Sequence, residues 1–130
     1  MKKEELVDYC NNWLAAWTGN NPEVLITFYS EDSYYQDPAN STGLKGHNQL
    51  LPYFKKLLAV NPHWKWEAEE IYPTKKGCIL KWKATIPIGS KIVIEHGMDI
   101  VEIKEGQIIR NEVYFDRTKM LSFLDELRKK

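Results

Sequence analysis

Asp37 and Asp99 are the two acids of this 130-residue chain whose surroundings could turn a carboxylate toward chemistry. Asp37 closes the stretch Trp13 to Pro38, WLAAWTGNNPEVLITFYSEDSYYQDP. That stretch reads as the end of an amphipathic helix, a turn, a second short helix, and a strand running into Asp37-Pro38. A carboxylate where a strand meets a Pro turn, with aromatic helices nearby, is placed to act as a base at the mouth of a pocket. The plain alternative is turn chemistry, in which Asp37 bonds the local backbone amides.

Asp99 sits in the longest apolar strand pattern. Lys91 and Glu95 fall at odd positions there, whereas Glu102 and Lys104 fall at even ones. An extra residue at Gly97, a bulge, reconciles the two polarities. Ile92, Ile94 and His96 then share an inner face with Asp99, Val101 and Ile103, while Val93, Met98 and Ile100 form an outer face apolar enough to need a partner. On this register Asp99 is an acid on an apolar wall; without it, Asp99 is a half-exposed strand residue facing away. His96 faces the pocket as a proton carrier or a hydrogen-bonded wall residue.

Two carboxylic acids in one apolar cavity separate into two roles. Desolvation raises both pKa values, and mutual repulsion raises the second further. One stays ionised as a base while the other stays protonated and donates to a developing oxyanion. Asp37, nearer the mouth, is the expected base, and the deeper Asp99 the expected donor. Such chemistry suits proton abstraction beside a carbonyl and needs no cofactor.

The elements that must position these acids follow from periodicity. Helix one runs from about Lys3 to Trp17, with Leu6, Cys10, Trp13, Leu14 and Trp17 at spacings of three and four. Asn21-Pro22 starts helix two as N-cap and first helical residue, with Val24, Leu25, Phe28 and Tyr29 as its apolar face. A strand covers Ser33 to Asp37, a loop Ala39 to Gly46, and a third helix His47 to Val60 through Leu50, Phe54, Leu57 and Leu58. After Asn61-Pro62 the period changes to two, giving strands at Trp64–Tyr72, Gly77–Pro87, Lys91–Lys104 and Ile108–Phe115. A last helix spans Thr118 to Lys130, with Asp116 in the place of its N-cap and Arg128-Lys129-Lys130 suiting its dipole. Helices first and strands later predict an α+β fold with a curved, mostly antiparallel sheet, in a single domain over residues 1–130. Trp13, Trp17, Phe54, Trp82 and Phe115 are expected to converge on one cavity.

Composition narrows the function classes. Eighteen basic and eighteen acidic side chains cancel, leaving no basic footprint for nucleic acid or anionic membrane. No apolar run nears the roughly 20 residues of a membrane span. Cys10 and Cys78 lack metal-ligand spacing and form no disulfide framework, so a cytoplasmic chain with two buried thiols is expected. No Gly-rich phosphate loop and no nucleophile elbow is present.

The helical N-terminal half, FYSEDSYYQDP, Lys45-Gly46-His47 ahead of helix three, and IKEGQIIRNEVYFDR together resemble the NTF2-like superfamily, in particular its SnoaL-like branch. The resemblance covers nearly the whole chain. It implies a cone, in which a bent sheet wraps helices around a pocket for an apolar small molecule, and homodimerisation through the sheet. Against ketosteroid isomerase, W-L-A-A-W…Q-D-P aligns without a gap: the general-base aspartate falls on Asp37, the protonated aspartate on Asp99, and the oxyanion-hole tyrosine on Trp13. Against limonene epoxide hydrolase, Tyr35-Gln36-Asp37 resembles the water-positioning residues. Its catalytic relay falls on Thr85, Lys83 and Val113, which removes epoxide hydrolysis. SnoaL-type cyclases use an aspartate near the end of the last strand, where Asp116 is the nearest candidate. The implied protein is a small cofactor-independent isomerase or cyclase type, with Asp37 and Asp99 catalytic and Trp13, Trp17, Tyr35, Phe54, Trp82, His96 and Phe115 against the substrate. The alternative is a non-catalytic binding or dimerisation module of the same fold.

Overall fold

The computed structural model describes residues 1–129. Helix α1 (Lys3–Thr18) is followed by α2 (Pro22–Leu25), a 3₁₀ turn at Ile26–Phe28, β1 (Tyr29–Asp37), β2 (Asn40–Lys45) and α3 (His47–Val60). Strands β3 (Lys65–Pro73), β4 (Gly77–Ile88), β5 (Lys91–Lys104) and β6 (Gln107–Tyr114) then lead to α4 (Thr118–Arg128). The six strands form one sheet in the order β2-β1-β6-β5-β4-β3, antiparallel except where β1 lies parallel to β6. This is the α+β, NTF2-like cone. Among the described residues no helix is long and apolar enough to cross a membrane.

The helices start and stop where local chemistry dictates. The Asn21 side chain accepts from the Val24 amide at 3.2 Å, and Pro22 takes the first helical position, where a missing N–H costs nothing. The chain then tightens into the 3₁₀ turn and is already extended at Tyr29, so Phe28 and Tyr29 lie beyond the short helix rather than on its face. Helix α3 matches its expected bounds, and His47 opens it with Nε2 2.7 Å from the Tyr29 carbonyl oxygen. The expected loop after Pro38 is instead the edge strand β2. Its polar run Asn40-Ser41-Thr42-Gly43 has no apolar alternation to announce it, and pairing with β1 forms it. Helix α4 ends at Arg128, one basic residue in its last turn. Lys130 lies outside the described residues.

Strand β4 alternates as its sequence implies: Cys78, Leu80, Trp82, Ala84, Ile86 and Ile88 are buried against the helices. Strand β5 corrects the expected bulge. It pairs with β4 without interruption from Lys91 to Glu102, so every odd residue from Val93 to Val101 faces inward. Val93 is therefore core, and Glu95, half-buried, faces inward, while Ile92, Ile94, His96 and Met98 are exposed on the outer face. Asp99 still faces inward, because the reversed half of the strand lies before Gly97 and not after it. The irregularity of β5 falls at Glu102/Ile103, against β6. Gly97 has another use: a Cβ built there would stand 2.2 Å from the Trp82 ring, so its bare backbone lets that indole lie across β5.

Helix α1 packs on β3 and β4 and brings Cys10 to Cys78, with Sγ atoms 3.8 Å apart in the core.

Candidate functional site

A cavity of about 130 Å³ opens between the sheet and the helices. Its floor and walls are the buried side chains of Leu14 and Trp17 from α1, Trp82, Ala84 and Ile86 from β4, and Asp99 from β5. Tyr35 and Asp37 close one side from β1, and Met120 another from α4. The half-exposed residues Pro38, Tyr53, Leu57, Trp64, Phe115 and Arg117 form its rim. The volume is below the roughly 300–1,000 Å³ of drug-sized sites and near the roughly 150 Å³ that takes one benzene ring.

Asp99 stands at the floor and is fixed from both sides. Trp82 Nε1–H donates to Oδ1 at 2.7 Å, and Asn111 Nδ2–H donates to Oδ2 at 3.0 Å. Asn111 is itself oriented, because Tyr29 O–H donates to its Oδ1 at 2.8 Å, which turns the amide N–H₂ toward Asp99. Two donors leave about half of a carboxylate's four acceptor sites unfilled. Burial pushes the Asp99 carboxyl up to about 7; the Asn111 and Trp82 hydrogen bonds pull the other way, and the nearby charge of Asp37 adds to the rise. A buried acid titrating near neutrality, with free lone pairs on a pocket, can both take and return a proton.

Asp37 is placed differently. Its Oδ1 accepts from the amides of Ala39 (3.0 Å) and Asn40 (2.9 Å) and from Asn40 Nδ2 (3.0 Å). Its Oδ2 accepts from Tyr35 O–H at 2.8 Å and from Tyr53 O–H. Five donors occupy a group with about four acceptor sites. The carboxylate lines the cavity, but its lone pairs belong to the β1–β2 turn and to two tyrosines. Burial, together with the nearby Asp37 charge, holds the Tyr35 and Tyr53 phenols well above their ordinary value. Both hydroxyl protons are thus committed to Asp37.

The cavity brings together Asp37, Asp99, Trp17, Tyr35, Trp82 and Phe115 of the expected set. It excludes three. Trp13 is fully buried behind the cavity against Tyr29, with ring centroids 6.3 Å apart. Its N–H has no hydrogen-bond partner. Phe54 is fully buried between Trp17, Tyr29 and Tyr35, with centroids 5.0, 5.2 and 5.5 Å away, and so supports the wall from behind. His96 is on the outer face, its Nδ1 2.7 Å from Glu69 Oε1, because β5 lacks the bulge that would turn it inward. Asp116 is exposed and lies one residue ahead of Arg117, the N-cap of α4, rather than at the cap itself; it accepts from Thr118 N–H (2.9 Å) and Thr118 O–H (2.6 Å). Those bonds hold its carboxyl below the usual range.

Tyr53, Asn111, Tyr29 and Arg117 are among the residues of the site that were not singled out from sequence as site residues. Tyr53 lies three after Leu50 and four before Leu57, on the expected α3 stripe, so its spacing carried the signal. Asn111 shares a strand face with Val113 and Phe115, a weaker sign. Tyr29 and Arg117 reach the site only through tertiary structure. Among the described residues no group of three His, Cys, Asp or Glu side chains is placed to hold a metal ion.

Residues 11–111 match the SnoaL-like domain. The chain belongs to the SnoaL-like family. Solved structures share the SnoaL-like fold at low identity. A hypothetical protein with a ketosteroid isomerase-like fold from Catenulispora acidiphila, in complex with trimethylamine, is 18% identical with a TM-score of 0.79, over 90% of this chain and 92% of that one. A candidate SnoaL-like polyketide cyclase from Shewanella putrefaciens is 16% identical with a TM-score of 0.78, over 97% and 88%. The epoxide hydrolase/cyclase-like enzyme SalBIII, described for pyran ring formation in the polyether salinomycin, is 13% identical with a TM-score of 0.76, over 90% and 95%. A comparison with curated proteins finds no significant match.

Proposed function

We propose that this SnoaL-like chain binds a small apolar carbonyl compound and that Asp99 moves a proton on it, as isomerase- or cyclase-type chemistry requires. The supporting observation is the contrast between the two acids. Asp99 is buried on the cavity floor with unfilled acceptor sites and a carboxyl poised near neutrality, whereas every acceptor site of Asp37 is engaged. Asp99 therefore takes the base role that sequence comparison gives to Asp37, and it becomes an acid on the return step. Asp37 holds the β1–β2 turn and the Tyr35–Tyr53 side of the wall. Apolar surroundings disfavour a charged carboxylate until a proton moves to it, which lowers the barrier for a weak carbon acid.

Hydrogen–deuterium exchange at the α-carbon of small cyclic ketones, followed by NMR in heavy water, tests this without knowledge of the natural substrate. The protein should accelerate exchange, and Asp99→Asn should remove roughly 10²-fold or more of the acceleration. Asp37→Asn should keep most of it in the folded fraction. Exchange that survives Asp99→Asn contradicts the assignment.

One observation favours a second reading. The Tyr35 and Tyr53 protons are both donated to Asp37, so neither is free for an oxyanion. A binding module without turnover would need no such donor, and ligand binding without exchange would identify it.

The outer sheet face also bears on the proposed assembly. Ile92, Ile94, Met98 and Tyr114 are exposed there, with Ile92 68% accessible. We propose a homodimer that covers this face. Two unlinked buried thiols suit a reducing, cytoplasmic setting.

A further inference from the structure

The cavity rim carries a cation that the proton-transfer scheme does not use. Arg117, half-buried, sits between the end of β6 and the start of α4 and lines the cavity with Phe115 and Met120. One of its N–H groups donates to the Pro38 carbonyl oxygen at 3.3 Å, which ties the guanidinium to the turn that Asp37 organises. It forms no ion pair with a carboxylate among the described residues, unlike Arg110, which is bound to both Glu102 and Glu112. A guanidinium has five donors in a planar fork matched to carboxylate geometry. Tethered at one point beside an apolar cavity, it is a charge with most of its donors unspent.

The remaining cavity chemistry fits a ligand with one charged end. The walls are aromatic and aliphatic, from Leu14, Trp17, Trp82 and Phe115. Asp37 carries its charge beneath five donors, and Asp99 lies at the floor away from the rim. With about 130 Å³ available, the apolar part is limited to about one ring.

We infer that the pocket selects a small monoanionic acid, one ring or a short unsaturated chain bearing a carboxylate, with the carboxylate on Arg117 and the apolar part against Trp82 and Phe115. This rests on the proposed small-molecule pocket and adds the charge of its ligand. For the proton-transfer reading, the substrate becomes a small keto or enol acid. Arg117 holds its carboxylate at the rim and Asp99 meets the acidic C–H at the floor. The bond broken is that C–H, its electron pair enters the enolate, and its proton goes to Asp99 Oδ and returns to another carbon of the same molecule.

Three probes of similar size test this on the full chain: benzoate, neutral benzamide and benzylammonium, each titrated near pH 7 by calorimetry and by fluorescence of the cavity tryptophans. Benzoate should bind roughly 10-fold or more tighter than benzamide, as expected for a charge-assisted hydrogen bond, and benzylammonium should be weakest. Arg117→Gln should erase the preference for benzoate over benzamide, with far-UV circular dichroism and a cooperative thermal transition showing that the variant is folded. Asp99→Asn should strengthen benzoate binding by removing a like charge. Benzamide or benzylammonium binding as tightly as benzoate to the wild-type chain overturns the anion assignment alone. So does a preference that persists in Arg117→Gln. Failure of all three probes to bind overturns the pocket reading as well.

Discussion

The indole of Trp82 lies against Gly97, its cross-strand partner, and donates from there to Asp99 two residues further along β5. The absent side chain thus sets the position of the acid. Phe115 also packs on the indole in an edge contact, with centroids 5.2 Å apart at 69°.

Gly97→Ala should therefore disturb the site without touching an ionisable group. The new Cβ would stand 2.2 Å from the ring, and the indole is braced by Phe115, so one of the two must shift. Overpacking of this kind costs about 1–3 kcal/mol. Chemical denaturation should show that loss, and the Trp82 indole N–H resonance should move as its bond to Asp99 lengthens.

Asp99 should also make stability depend on pH in a definite sense. Its carboxyl is raised in the fold from its ordinary value of 3.8 to about 7, so the unfolded chain releases this proton more readily. The stabilisation is fully present below about pH 4 and is lost as pH rises toward 7. A rise from 3.8 to about 7 corresponds to roughly 4 kcal/mol at most. Asp99→Asn should abolish this component, so its stability relative to wild type should improve between pH 4 and pH 8. A pH-independent difference between the two would contradict the burial described.

Asp37→Ala should behave as a structural lesion. It strips an acceptor from the Ala39 and Asn40 amides, from the half-buried Tyr53 phenol and from the buried Tyr35 phenol, and an unsatisfied buried group such as the last costs about 1–3 kcal/mol. Thermal unfolding should fall clearly, with a smaller fall for Asp37→Asn, which keeps an acceptor for the turn. Asp116→Asn should change little, since an Asn side-chain oxygen can also accept from the Thr118 amide and hydroxyl at this exposed position.

The fold was largely legible because its signals are periodic. The stripe on α1, the bounds of α3 and the alternation of β4 each follow from one-face burial, and β4 places Trp82 inward directly. Strand β5 misled because it is apolar on both faces: Ile92 and Ile94 lie outward while Glu95 lies inward, so charge did not mark the solvent side. The inward position of Asp99 was expected, but through a bulge that does not exist, and the same error carried His96 into the pocket and Val93 out of the core. Helical spacing also cannot tell which members of a stripe meet a cavity and which meet solid core. On α1, Leu14 and Trp17 reach the cavity while Trp13 does not; on α3, Tyr53 and Leu57 do while Phe54 does not. Arg117 was illegible, since its role depends on β6 ending beside the β1–β2 turn.

The proposed dimer makes a separate prediction. Met98→Glu places a charge among Ile94, Ile100 and Tyr114 on the outer face, where Met98 is 42% accessible. Sedimentation at micromolar concentration should show a dimer for the wild-type chain and a monomer of similar thermal stability for the variant. A monomeric wild type would end this assembly.

Proton transfer in the pocket requires that Asp99 titrate near neutrality. Carboxyl-carbon NMR across pH 3 to 9, with the resonance assigned by its loss in Asp99→Asn, measures this directly. A midpoint near 7 is the predicted result. A midpoint near the free value of about 3.9 would mean a solvated carboxylate, and neither proton transfer at the cavity floor nor the role given to Asp99 would stand.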